Sequence, residues 1–274
     1  MNRIGILHPG AMGAAVAVSV RNSGRDVYWV SAGRRAHTRQ RAEDAGLIDA
    51  STLPALCGIC AVIVSVCPPE FAESLADEVI AAGFRGTYLD ANALAPARKL
   101  RMAERMETSG IRFVDGGIIG LPPSENSGET WLCLSGAAAP DLAPFFANGP
   151  ILAEVVGAEI GRASALKICF AAHNKGMIAL RSALLATAQH YGVLDDLKTH
   201  WARRGLSIPT IEKEIQRAAP KAWRWEPEMH EIAATLEAAG MPGEFHQAAA
   251  EIYSRLREFK DTEPTLDEIL DQLR

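Results

Sequence analysis

Seven short runs rich in Val, Ile, Leu and aromatic residues, at 3–7, 26–31, 61–66, 86–89, 112–114, 130–134 and 151–155, punctuate the first half of the chain, and no such run follows. Between them, residues 11–21, 35–45, 69–82, 95–107 and 139–146 read as helices. Apolar strands alternating with helices make βαβ units, whose crossovers cover both faces of a mainly parallel sheet. The pattern changes near residues 157–161. From 163 to about 191 runs one stretch rich in Ala, Leu, Ile and Met, without proline, about 40 Å long if helical throughout. It is apolar on nearly every face, which predicts burial within its domain or against a second subunit. The remainder reads as amphipathic helices broken at Pro209, Pro220, Pro227, Pro242 and Pro264. The expected fold is an α/β domain over 1–158, built on a doubly wound sheet, followed by an all-α domain over 159–274.

Composition narrows the function classes. With 274 residues, 48% hydrophobic and 22% charged, the chain can bury real cores. A net charge of −5 leaves no basic surplus for nucleic acid or an anionic membrane. The opening MNRIGIL runs straight into the first strand, and the longest apolar stretches, such as 61–67, are too short to span a bilayer. A cytoplasmic protein is expected. Cys57 and Cys60 form a C-x-x-C, but no second ligand pair follows at zinc-finger spacing and no thioredoxin-like pattern surrounds it. Small buried hydrophobes are the better reading, with neither a metal site nor a disulfide.

The segment Ile4-Gly5-Ile6-Leu7-His8-Pro9-Gly10-Ala11-Met12-Gly13 joins the first strand to the first helix. The G-x-G-x-x-G fingerprint of Rossmann-type sheets needs one glycine for a tight turn and a second where a pyrophosphate approaches the backbone. Its third lets helix and strand pack closely. Gly10 and Gly13 fill the last two places, and His8 stands in the first. Residues 8–13 are therefore the expected cradle for a dinucleotide pyrophosphate, held by free amides and the helix dipole. His8 is either a substituted turn residue or a contact to nicotinamide or substrate.

An acidic residue commonly ends the second strand where the ribose hydroxyls of NAD are bound. Here Val27-Tyr28-Trp29-Val30 leads into Ser31-Ala32-Gly33-Arg34-Arg35, and Asp26 lies at the opposite end of the strand. Ser31 and Arg34 fit the 2′-phosphate of NADP, for which a guanidinium is suited, so NADP is expected over NAD. The alternative is a pair of solvated arginines opening a helix.

These residues, with Val66-Cys67-Pro68-Pro69, Leu89-Asp90-Ala91-Asn92, Val114-Asp115-Gly116-Gly117 and Gly157-x-x-x-Gly161 leading to Lys167, stand in an order that resembles the β-hydroxyacid dehydrogenase and 6-phosphogluconate dehydrogenase superfamily. Residues 167–172, 222–225, Glu228-Met229 and Phe245-His246 are similar to a branch whose 6-phosphogluconate-dehydrogenase-like C-terminal domain has no known substrate. The resemblance covers essentially the whole chain. It implies that Cys67, Pro68 and Asn92 also face the cofactor and that Gly117, Ile118 and Gly120 line the substrate. It further implies that Lys167, opening the long helix, is the general acid/base of hydride transfer between nicotinamide and a small hydroxy acid or related alcohol. An apolar setting among Leu166, Ile168, Cys169 and Phe170 suits a lysine tuned toward neutrality. Without the resemblance, a lysine snorkelling from a buried helix would be the natural reading.

Two positions depart from the family. Where an asparagine is usual four residues after the lysine, this chain has Ala171, and Asn174 lies on the same face about 10 Å along the axis. Ile119 stands where the family's substrate loop has serine, so the set that binds a carboxylate is incomplete. His173, Asn174, Trp223, Trp225, Glu228 and His246 are the candidates for the rest of a pocket, although tryptophans at helical spacing more often belong to cores or interfaces. Imine reductases share this architecture but generally lack the lysine, so Lys167 favours alcohol or carbonyl chemistry. A protein that binds the cofactor without turnover is the reading from another class. The partners expected are a small-molecule substrate and a second copy of the chain.

Overall fold

The computed structural model describes residues 3–123 and 129–274. The chain packs as two units, one ending at Ile168 and the other beginning at Cys169. The first contains β1 (Arg3–Ile6), α1 (Ala11–Asn22), β2 (Asp26–Trp29), α2 (Ala36–Asp44), β3 (Ile48–Asp49), α3 (Leu53–Ile59), β4 (Val62–Ser65), α4 (Ala72–Ala81), β5 (Thr87–Asp90), α5 (Pro96–Thr108), β6 (Arg112–Ile119), β7 (Thr130–Ser135), α6 (Ala139–Leu142) and β8 (Ile151–Gly157). It ends in the first turns of α7 (Arg162–His190).

The eight strands form one sheet in the order β3-β2-β1-β4-β5-β6-β7-β8. Their pairing is parallel except between β6 and β7. Strand order reverses between β1 and β4, and in such sheets ligands bind beyond the carboxyl ends at that switch point. Alternate side chains feed two cores, as the period of two demands. Ile4, Ile6, Val62, Val64, Leu89 and Val114 face Val16, Val20, Leu142 and Phe146 on one side. Leu7, Ile63, Tyr88 and Phe113 face Leu56, Val79, Met102 and Met106 on the other. Each such aliphatic side chain taken out of water contributes about 1.5–3 kcal/mol.

Three local expectations need correction. The strand expected at 112–114 runs to Ile119, because the ladder to β7 continues through the pairs Gly116–Leu134, Gly117–Cys133 and Ile118–Leu132. Ile118 and Ile119 are thus strand residues. The helices expected at 69–82 and 139–146 are each split between an α segment and a 3-10 turn, at Pro69–Phe71 and Ala143–Phe146, where prolines withhold amides. β3 and α3 were not anticipated.

The second unit continues α7 and adds α8 (Leu194–Arg203), α9 (Ile208–Ala218), α10 (Ala222–Ala238), α11 (Glu244–Arg255) and α12 (Leu266–Gln272). Its core gathers Ile211, Ile215, Met229, Ile232, Tyr253, Ile269 and Leu270. Lys175 of α7 pairs with Glu228 of α10, and the Tyr253 hydroxyl donates to the Lys175 carbonyl at 2.7 Å. Among the described residues no helix is long and apolar enough to cross a membrane.

Candidate active site

Ser65, Asp90 and Asp115 are in register across β4, β5 and β6 and mark the carboxyl edge of the sheet. The residues just beyond that edge, His8 after β1, Cys67 after β4, Asn92 after β5 and Gly117 on the overhang of β6, come from four separate sequence segments. The parallel topology brings these expected site residues to one edge.

At the turn after β1, Gly10 caps α1 with an extended backbone and no side-chain cap, and the first helical turn contains no acid. The first intrahelical bond runs from the Ala14 amide to the Gly10 carbonyl at 2.8 Å, so the amides of Ala11, Met12 and Gly13 precede it. A Cβ on Gly10 would meet open space, whereas one on Gly13 would lie 2.0 Å from the His8 carbonyl oxygen. That is the division of labour a pyrophosphate cradle requires: one glycine open to a ligand, the other closed against the backbone. Pro9 is buried, and Met12 packs on the core beneath. Burial, with the Arg34 guanidinium nearby, pushes the His8 imidazole down to about 4, and its Nδ1 is buried without a hydrogen-bond partner.

Beyond β2 the basic residues turn toward the strand ends. Arg34 donates to the Leu7 carbonyl at 3.4 Å, Arg39 to the Ser31 carbonyl at 2.8 Å and Arg41 to the Pro9 carbonyl at 3.4 Å. Ser31 is buried, and both its hydroxyl and its amide are given to Asp49 at the end of β3. A cavity of about 210 Å³ opens beside Arg34, walled by Leu7, Val30, Leu53 and Leu75 and edged by Glu78. Its apolar walls at the end of β1 and β2 suit a planar base. Arg39 and Arg41 escaped notice in the sequence because arginines on an amphipathic helix read as solvated. Their spacing behind Arg34 and Arg35 was the available signal.

The turn after β4 is held by Asn92 rather than lined by it. Asn92 is buried; its Oδ1 accepts from the Cys67 amide at 2.6 Å, and its Nδ2 donates to Ser65 at 3.0 Å and to Asp90 at 2.7 Å. Burial pushes the Cys67 thiol up to about 12, so it stays protonated at neutral pH. Pro68 follows and opens the 3-10 turn that leads into α4.

On β6, a Cβ on Gly117 would lie 2.6 Å from the Ala163 carbonyl oxygen and 2.8 Å from the Lys167 Cβ. The bare glycine therefore lets α7 settle onto the strand and sets half-buried Lys167 beside the overhang of β6. Ile118 packs on the core, and Ile119 is buried with Cys133 and Ala163. Gly120 adopts φ +119°, where a side chain is strained, as β6 leaves the sheet. Two residues that the sequence reading missed stand behind this arrangement: Lys99 and Ser164, both buried and both tied to Asp115. A lysine amid a polar helix gives no hint of burial.

The remaining candidates belong to the second unit. Asn174 and His173 are exposed on α7. His246 is buried, with Nε2 3.2 Å from the Ala172 carbonyl oxygen, and it packs so closely on Gly176 that an added Cβ there would lie 2.9 Å from Nε2. Trp225 meets the Tyr253 ring edge-on with centroids 5.4 Å apart, and Trp223 lies under the Lys260 ammonium at 4.3 Å. Trp225, Glu228 and His246 are thus engaged in helix packing within that unit. Among the described residues no group of three or more His, Cys, Asp or Glu side chains is placed to hold a metal ion.

No curated protein matches the chain. Residues 188–256 match a domain of unknown function (DUF1932). Among solved structures, 3-hydroxyisobutyrate dehydrogenase from Salmonella typhimurium superposes with a TM-score of 0.73 at 17% identity, covering 99% of each chain. A reductive aminase from Aspergillus terreus in complex with NADPH gives 0.59 at 17% identity over 100% of both chains. An imine reductase variant from Myxococcus stipitatus in complex with NAD+ gives 0.58 at 18% identity over 99% of each. At these identities the likeness establishes the shared fold. Residues 3–148 match the NAD binding domain of 6-phosphogluconate dehydrogenase. That match spans more than half of the sequence, and the chain belongs to this family of dinucleotide-dependent oxidoreductases.

Proposed function

We propose that the chain is an NADP-dependent dehydrogenase or reductase that interconverts a small hydroxy acid, or a related alcohol, with its carbonyl counterpart. The observation that carries this reading is Lys167, set beside Gly117 beyond the carboxyl edge where the cofactor turns converge. The amides of Ala11, Met12 and Gly13 would hold the pyrophosphate, and the cavity beside Arg34 the adenine. Arg34, Arg35, Arg39 and Arg41 supply positive charge near the end of β2, which itself ends without a carboxylate. A nicotinamide bound there would supply the hydride chemistry. Lys167 takes the hydroxyl proton in oxidation and returns it in reduction, a role that spares the reaction a free alkoxide. The amine form takes that proton and the ammonium form returns it, and a lysine at this place favours alcohol chemistry over imine chemistry. Ile119, standing where the family has serine, cannot hydrogen-bond a carboxylate through its side chain, which favours the bulkier or less polar members of that substrate class. We also propose that the working form is a homodimer.

Titration with NADPH and NADH, followed by quenching of tryptophan fluorescence, tests the cofactor. NADPH is expected to bind about tenfold or more tightly, a difference of about 1.4 kcal/mol. A preference for NADH would overturn the assignment of the arginines. Lys167→Ala should lower kcat on the order of 100-fold or more while NADPH affinity holds. Unchanged turnover would remove Lys167 from the mechanism.

A further inference from the structure

Behind the carboxyl edge lies a cluster of charges that hydride transfer does not itself use. Lys99, Asp90 and Asp115 are all fully buried. The Lys99 ammonium is paired with the Asp90 carboxylate, donates to the Asp90 carbonyl at 2.6 Å and to the Gly116 carbonyl at 3.3 Å, and faces Asp115 Oδ1 at 3.4 Å. The other oxygen of Asp115 accepts from the Ser135 hydroxyl at 3.1 Å and from the Gly161 amide, the Ser164 amide and the Ser164 hydroxyl at 3.0 Å each. Ser135 accepts in turn from the Ala163 amide at 3.1 Å.

Burying two carboxylates and an ammonium is costly, and a well-packed apolar cluster often serves stability as well or better. What such a cluster adds is geometry, since each charge is satisfied in one arrangement only. Here the arrangement has two ends. At one, Asp115 caps the start of α7 from within the sheet, gathering amides that a helix N-terminus leaves without partners. Lys167 follows Ser164 by three residues, less than one turn. At the other, Asp90 holds Asn92, which holds the Cys67 amide of the turn after β4. One ammonium joins both ends.

We propose that Lys99 and Asp115 are positioning residues for Lys167: through the first turn of α7 they fix the ammonium relative to the strand ends that hold the cofactor. The proposal rests on the reading of Lys167 as the general acid/base. Small displacements of a reacting group are expensive, on the order of 100-fold in rate for about 1 Å.

The test uses the full chain with Asp115→Asn, Lys99→Met and the milder Ser164→Ala, which removes one hydroxyl donor and leaves a good helix former. Asp115→Asn should lower kcat roughly 10- to 100-fold with KM and NADPH affinity within about twofold. Lys99→Met should act in the same direction, and Ser164→Ala should cost roughly three- to tenfold, the net worth of one ordinary hydrogen bond. Competitive acetylation of Lys167 with acetic anhydride, read by mass spectrometry, should change rate severalfold in Asp115→Asn. Hydrogen exchange should quicken over residues 162–168 while residues 172–190 keep their wild-type rates. Variants that lose thermal stability but keep wild-type kcat, KM and Lys167 labelling would reduce the cluster to a structural role and overturn the proposal. If Lys167→Ala itself keeps full turnover, the acid/base reading fails and the labelling decides alone: an altered rate supports positioning, an unaltered one overturns it.

Discussion

His8 takes the place of a turn glycine and is half-buried where a charged imidazole is penalised twice, by desolvation first and by Arg34 second. Its folded value of about 4 lies below the ordinary 6.5, so between those limits the unfolded chain binds the proton and the folded chain does not. Stability contributed by neutral His8 is therefore fully present above pH 6.5 and is lost as the pH falls toward 4. The melting temperature of the wild type should drop across that window more steeply than that of His8→Gln, which carries no titrating ring. Parallel curves for the two proteins would mean that His8 is solvated in the folded state. The histidine itself was legible as an oddity of the motif. Its orphaned Nδ1 and its burial beside Arg34 were not, because they depend on a residue 26 positions later folding back over the end of β1. The same holds for Asn92. The motif marks it as a site residue, and only the packed structure reveals it as the strut beneath Cys67.

The helix α1 and its turn supply a sharper contrast between two glycines three residues apart. Gly13→Ala places a methyl 2.0 Å from the His8 carbonyl oxygen and forces α1 away from β1. The expected cost is about 1–3 kcal/mol of stability, with loss of dinucleotide binding as well. Gly10→Ala meets open space in the protein alone, so its melting temperature should stay near wild type while NADPH affinity falls about tenfold or more. Calorimetry with and without cofactor separates the two; equal destabilisation by both would show that the turn is structural only. Elements of this kind were readable because period and length agree: apolar runs of three to six residues, most of them followed by a helix. β3 was not, being two residues long, and its neighbour α3 has only seven. α3 did carry a signal in Thr52-Leu53-Pro54, a side-chain cap followed by proline in the first turn. The glycine pair at 116–117 hid the length of β6 for the opposite reason. Glycine lowers strand propensity, yet here it is retained where α7 must approach the strand.

At the scale of the molecule, the mainly parallel sheet, the change from strands to helices and the continuous helix at 162–190 follow from hydrophobic pattern, and that pattern was plain in the sequence, whereas the strand order was not. The pattern also said that α7 is apolar all round, and the structure divides that statement in two. Ala163, Ile168, Ala171, Ala179, Leu185 and Ala186 are buried within the chain, whereas Leu166, Phe170, Met177, Leu180 and Leu184 are exposed. The exposed set recurs at intervals of four, seven, three and four residues, which places it on a single helical stripe. Five large apolar side chains in one line are more than scattered surface hydrophobes require, and the stripe is the surface the proposed homodimer would cover. A homodimer that covers it should give a light-scattering mass near twice the 29.4 kDa of one chain across a wide concentration range. Leu180→Asp combined with Leu184→Asp puts two charges where the stripe would be dry, and should shift the population to monomer while the far-ultraviolet spectrum of a folded helical protein persists. A wild-type monomer at every concentration would show that the stripe has another occupant or none, and the dimer proposal would fall while the assignments made within the first unit stand.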